Sequence, residues 1–189
     1  MRLFVAIALP EEAWEGVALL RAGLPGAKWV EPSSLHVTLR FIGEVDGGKA
    51  EDIARLLSGV MAPMFELTLS GLGHFGSSGR AHSLWLGVER QPSLQALQEK
   101  VEAAVVRAGQ ASERRKFKPH VTLARFRDPE AGARLGAYLQ RHGRVTLPPF
   151  WVRQFTLFRS HLGGEGPHYE PIVDYFLEPG RGVAAFPPF

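Results

Sequence analysis

The chain has 189 residues and no cysteine. Disulfides, thiolate metal sites and cysteine nucleophiles are therefore excluded. Asparagine is also absent and glutamine is sparse, a bias that fits a heat-adapted source and a GC-rich genome equally well. No apolar run approaches the roughly 20 residues needed to cross a bilayer. The opening MRLFVAIALPEEAWEG has one early cation and a short apolar run, as a signal peptide does. Glu11 and Glu12 follow at once without a small-residue cleavage site, so the stretch reads as a strand. A cytoplasmic protein with no membrane association is the expectation.

What is present has the balance of a globular protein, with 45% hydrophobic and 22% charged residues. The length suits one domain of ordinary size or two small lobes sharing a core. Of the 22 cations, 17 are arginine, the side chain suited to bidentate phosphate contacts, and the net charge is +3.

Periodicity divides the chain into strands and amphipathic helices. RLFVAIAL reads as a strand, and Pro10, Glu11 and Glu12 open a helix to about Ala22. AKWVE and HVTLRFIG read as strands. A helix with apolar spacing at Ile53, Leu56, Leu57 and Val60 follows. FELTLSGLGHF and SLWLGVER alternate around the Gly/Ser turn GSSGR. The clearest helix is SLQALQEKVEAAVVRAG, with Ser93 as its expected cap and Gly109 as its end. After the polar loop QASERRKFKP come the strand HVTLARF, a helix over about 130–141, and the closing strands RVTLPPFWVRQFTLFRS and HYEPIVDYFLE. Tight strand pairs predict an α+β fold with antiparallel or mixed sheets. The tail from about 179 to 189 has no periodicity and is expected to be irregular.

The tetrapeptide HVTL occurs twice, at His36–Leu39 and at His120–Leu123, 84 residues apart. On a strand the two-residue period puts each His and its Thr on one face, with Val and Leu facing a core. A two-lobed molecule with pseudo-twofold symmetry would bring the copies together. Two imidazoles can divide acid and base roles near neutral pH, while the threonine hydroxyls donate to non-bridging oxygens. That set suits in-line cleavage of a phosphodiester and needs neither metal nor cofactor. Around the second copy stand Arg114, Arg115, Lys116, Lys118, Arg125 and Arg127, against Glu113 and Asp128. This basic collar implies an anionic partner, with RNA or a nucleotide the natural candidate. Taken alone, each feature also has a structural reading: a strand-end histidine, a solvated basic loop, ordinary strand threonines. His74, His82, His142, His161 and His168 match no motif and show no HxxxH spacing that would suggest zinc.

WVEPSSLHVTLRFIGEV (29–45) and FKPHVTLARF (117–126) resemble the two signature segments of the two-histidine phosphoesterases. Within them the chain is most similar to the bacterial and archaeal RNA 2',3'-cyclic phosphodiesterases of the LigT/ThpR type, long named 2'-5' RNA ligases. The likeness runs from RLFVAIALPEE through FELTLSGLGHF and LWLGVE to FTLFRSHLGGEGPHYEPI. It implies one two-lobed domain over 1–189, with a central cleft and helices outside. It also implies metal-independent opening of RNA 2',3'-cyclic phosphate ends to a 2'-phosphate, with a weak reverse 2'-5' ligation. The partner would be RNA, tRNA fragments among the candidates, and the protein a monomer. By position His36 and His120 take the catalytic places, with His120 as base toward water and His36 as acid toward the departing 3' oxygen. Thr38 and Thr122 take the phosphate-binding places. Arg125 takes a phosphate-contacting place, although strand alternation sets it out of phase with His120 and Thr122. Phe41 stands at the corresponding place of the first segment, where it stacks on a base or packs in the core. The competing readings are a non-catalytic RNA-binding module, and an esterase for a small cyclic phosphate or a 2'-5' linked oligonucleotide.

Overall fold

Residues 1–77, 80–126, 130–163 and 166–179 are described by the computed structural model. The first half is built around β1 (Arg2–Ala8), whose residues Leu3 to Ile7 are buried on both faces. β3 (His36–Glu44) and β9 (Gln154–Gly163) flank it, and β10 (Gly166–Phe176) extends β9. The second half runs from β7 (His120–Phe126) through β6 (Arg80–Val88) to β5 (Leu69–Ser77). A short β2 (Ala27–Trp29) lies along the far end of β7. These eight strands form one sheet in the order β10-β9-β1-β3-β7-β6-β5, with β2 off that path. All its described pairings are antiparallel, which decides between the antiparallel and mixed sheets expected from sequence. A separate ribbon joins β4 (Phe65–Leu67) to β8 (Phe150–Val152).

The halves meet at one register pair, Val37 with Val121, the second residues of the two HVTL copies. In strand order a twofold relation through that pair exchanges β3 with β7, β1 with β6 and β9 with β5. The repeated tetrapeptide is therefore the seam of the sheet.

One face of the sheet carries the core. Leu3, Val5, Ile7, Val37, Leu39, Leu84, Leu86, Val121 and Leu123 join one buried cluster with the apolar stripes of the helices. Those stripes are Ile53 and Leu57 of α2 (Gly47–Leu57), and Leu94, Leu97, Val101 and Val105 of α3 (Pro92–Arg107). α1 (Glu11–Ala18) adds Ala13 and Val17, and α4 (Glu130–His142) adds Leu135 and Tyr138. Each such Val, Leu or Ile side chain contributes about 1.5–3 kcal/mol on full burial. Tyr138 and Tyr175 reach across this layer, their hydroxyls donating to the carbonyls of Leu20 and Ala54. Burial pushes the Tyr175 phenol up to about 12. With helices occupying the core face, the opposite face is left for a cleft.

Two local expectations are corrected. Gln91, not Ser93, caps α3, because Pro92 takes the first helical position; the Gln91 side chain accepts from the Ser93 amide at 3.1 Å. Gly109 does end that helix, with φ +88°. α1 stops at Ala18, four residues early, in a turn that leaves Leu19 82% exposed. Residues 78 and 79 of the Gly/Ser turn, and 180–189 of the expected irregular tail, lie outside the described residues.

Candidate active site

The site is built by two matching irregularities. Between β1 and β3, Ala6 pairs with Thr38 and Val5 with Arg40, so Leu39 is an extra residue. Between β6 and β7, Trp85 pairs with Thr122 and Leu84 with Ala124, so Leu123 is extra. One inserted residue reverses the in–out alternation of everything after it. Each HVTL leucine is thus a bulge, and the fifth residue after each histidine swings back to the histidine's face. Those residues are Phe41 and Arg125. The phase conflict noted for Arg125 is resolved in this way. Arg40 is turned to the opposite side, where its Nε lies 2.6 Å from Glu102 of α3.

His36, Thr38, Phe41, His120, Thr122 and Arg125 all line one cavity of about 430 Å³. Both imidazoles are anchored alike. His36 Nδ1 lies 2.7 Å from the Ser34 carbonyl, which a single 3₁₀ turn (Pro32–Ser34) presents. His120 Nδ1 lies 2.7 Å from the Lys118 carbonyl. A carbonyl can only accept, so each Nδ1 carries the proton and each neutral ring keeps its lone pair on Nε2. The two rings are thereby set for proton transfer through the same atom.

Aromatic walls hold the rings in place. His36 lies 5.1 Å from Phe4 and 5.1 Å edge-on from Tyr169, and Phe4 stacks on Phe158 at 5.2 Å. His120 meets Phe75 edge-on at 4.9 Å and Trp85 at 6.2 Å. The Trp85 indole lies over Gly73, where a Cβ would fall 2.2 Å from the ring, so glycine is required there. Burial lowers the His36 pKa from its ordinary 6.5 to about 4. The Ser34 carbonyl opposes that shift, while the charges of Arg125 and His120 add to it. His36 is accordingly neutral at pH 7. Arg2 joins Arg125 in the lining, and no carboxylate does, so the potential favours an anion.

Sequence reasoning missed Arg2, Phe4, Phe75, Trp85 and Tyr169. For Arg2 and Phe4 a signal existed in the alternation of β1, whose cleft face they share. Tyr169 comes from the far edge strand and had no local signal. The basic collar is dispersed. Lys116 and Lys118 face a neighbouring cavity, Arg114 lines neither cavity, and Arg115 is committed to Glu113 at 3.1 Å. Arg127 and Asp128 lie outside the described residues.

The remaining histidines are elsewhere. His161 pairs with Glu170 at 2.7 Å, with His168 beside it, and His142 packs on Tyr138. His74 and His82 do not line the cavity. Among the described residues no three His, Asp or Glu side chains gather as a metal site. No described helix is long and apolar enough to cross a membrane.

Strand-borne His and Thr pairs thus face one cavity in a two-part antiparallel sheet, with a potential that suits an anionic ester. The profile of the 2'-5' RNA ligase superfamily matches residues 9–164, and the chain belongs to that superfamily. It is 32% identical over 177 residues to the RNA 2',3'-cyclic phosphodiesterase of Archaeoglobus fulgidus, covering 91% of this chain and 98% of the relative. It is 31% identical over 180 residues to the protein of that name from Geobacillus stearothermophilus, covering 92% of this chain but 56% of that longer relative. The crystal structure of E. coli LigT in its apo form superposes with a TM-score of 0.74 at 30% identity, covering 94% of this chain and 97% of that one.

Proposed function

We propose that this protein hydrolyses RNA 2',3'-cyclic phosphate ends to a 2'-phosphate, using its two histidines as acid and base and no metal. The observation that carries this reading is the convergence of both HVTL faces on one cavity, with both imidazoles held in the same tautomer. A binding module without turnover has no use for two tautomer-fixed rings facing one anion site. In the step, His120 Nε2 takes a proton from water as its oxygen attacks phosphorus. The P–O3' bond breaks, and His36 Nε2 gives its proton to the departing 3' oxygen. Thr38, Thr122 and Arg125 hold the non-bridging oxygens, and Phe41 stacks on a base.

His36 is neutral with no anion beside it, so it must gain a proton as the substrate arrives. A phosphate charge at about 4 Å supplies roughly 4 kcal/mol at an effective dielectric of about 20, or nearly three pKa units. That raises the His36 pKa and protonates the ring, loading the acid only when it is needed. The same step with a 5'-hydroxyl in place of water, again breaking P–O3', joins two strands through a 2'-5' bond and gives weak, reversible ligation. The whole chain acts as one two-lobed domain, a cytoplasmic monomer working on RNA 3' ends such as tRNA fragments. The test is turnover of an RNA ending in 2',3'-cyclic phosphate, with His36→Ala and His120→Ala as controls. Turnover by either variant at the wild-type rate refutes the reading.

A further inference from the structure

The two histidines are anchored by carbonyls of unequal standing. The Ser34 carbonyl that holds His36 sits in a closed turn, where the Ser34 amide donates to Glu31 at 2.9 Å and the Leu35 amide to Pro32 at 3.0 Å. The Lys118 carbonyl that holds His120 lies near the end of residues 108–119, which carry neither helix nor strand between α3 and β7. A ring anchored on such a loop is only as fixed as the loop itself. Phe117 packs that loop against the core. Its polar ties come from Arg40, whose side chain is 9% exposed. Arg40 Nε lies 2.6 Å from Glu102 of α3, and Nη1 lies 3.6 Å from Glu113 of the loop. Nη1 also donates to the Phe41 carbonyl at 2.9 Å, and Nη2 donates to the Ala111 carbonyl. Glu102 in turn accepts from the Glu113 amide at 2.8 Å, and Glu113 accepts from the Arg115 amide at 3.0 Å. These contacts run from β3 through α3 into the loop and end three residues before Lys118.

The bulge at Leu39 is what turns Arg40 toward this loop. Its counterpart after the second bulge is Ala124, fully buried and apolar, so the device exists on one side only. Arg40 does not line the catalytic cavity, so it makes no contact there with the ester. An ion pair this buried gains little stability over an apolar pair; what it adds is direction. We infer that Arg40 is a positioning residue for His120. It fixes residues 111–115 and, through them, the Lys118 carbonyl that keeps the proton on Nδ1 and leaves Nε2 as the base. The use of the ring in the reaction rests on the phosphodiesterase reading above; the hold of Arg40 on the ring does not.

The test combines Arg40→Met with Glu102→Gln, so that no carboxylate is left without its cation. Arg40→Lys, which keeps the ion pair and loses the carbonyl contacts, is the milder second variant. Long-range ¹H–¹⁵N NMR near pH 8 reads the ring nitrogens of both histidines, where each neutral ring should show a protonated Nδ1 and a bare Nε2. In the paired variant the two His120 nitrogen shifts should converge as its tautomers mix, while His36, anchored on its own turn, keeps its pattern. On an RNA ending in 2',3'-cyclic phosphate, kcat should fall about 10–100-fold with KM within about threefold, the scale of a displaced catalytic group. Arg40→Lys should lie between wild type and the paired variant in both readouts, and it decides the matter if the paired variant does not fold. Wild-type His120 shifts in both variants overturn the inference. So do equal changes in both rings, the mark of a loosened fold, and so does a raised KM with kcat unchanged, which makes Arg40 part of the binding surface. Wild-type protein that opens no cyclic phosphate overturns the phosphodiesterase reading instead, and the nitrogen shifts still decide the role of Arg40.

Discussion

Protonation of His36 is the most exposed joint of this account, because the ring is neutral at rest and must be charged to act as the acid. The perturbation is the addition of sulfate, an anion that does not itself titrate between pH 4 and 8. Without it the His36 imidazole should titrate near 4 rather than 6.5, held down first by burial. The difference is worth of order 3 kcal/mol at about 1.36 kcal/mol per unit. The sign follows from the depressed folded value. Above pH 6.5 this group costs nothing; as pH falls toward 4 the unfolded chain binds a proton that the folded one refuses. Stability therefore declines through that window, and His36→Gln should flatten the decline. A bound divalent anion should raise the midpoint by at least about two to three units, so sulfate binding takes up close to one proton near pH 5.5. The assay is an NMR titration of the imidazole carbon-bound protons with and without sulfate, with calorimetry in two buffers of different ionisation enthalpy to count the proton. A His36 midpoint near 6.5 that sulfate does not move would refute the coupling of binding to protonation.

Three further outcomes follow from the same geometry. His36→Ala and His120→Ala should each lower kcat by about 10²–10⁴ with little loss of RNA affinity, and the double variant should lose less than the product of the two, by steady-state kinetics. A substrate with sulfur as the 3' leaving atom, which departs without protonation, should restore rate to His36→Ala and not to His120→Ala; rescue of the other variant reverses the two roles. EDTA should leave turnover unchanged, and activity lost to chelation and regained with a divalent ion would place the chemistry on a metal.

That His36, Thr38, His120 and Thr122 share one cavity was legible from the sequence because the rule is local. A strand start, a two-residue period and a repeated tetrapeptide put His36 with Thr38 and His120 with Thr122. Arg125 and Phe41 were harder, since strict alternation sends position +5 to the wrong face. The bulges at Leu39 and Leu123 that restore them depend on register with β1 and β6, which one strand's sequence does not encode. The α3 cap was misplaced because Ser93 is the better capping type, but Pro92 claimed the first turn. The basic collar read as one patch along the chain, whereas Glu113 draws Arg115 off and Arg125 lines a different cavity from the lysines. Tyr169 reaches His36 from an edge strand 133 residues away, a contact that only the assembled sheet creates.

The position of the product's phosphate reports which ester bond is broken. An RNA ending in 2',3'-cyclic phosphate, treated with the protein in EDTA and read by ³¹P NMR and by resistance of the end to a 3'-phosphatase, should carry a 2'-phosphate with a free 3'-hydroxyl. That result requires the acid to face O3' across the cleft from the base. A 3'-phosphate product would contradict the placing of the acid at O3', and an uncleaved cyclic end would contradict the assignment of His36 and His120 as acid and base.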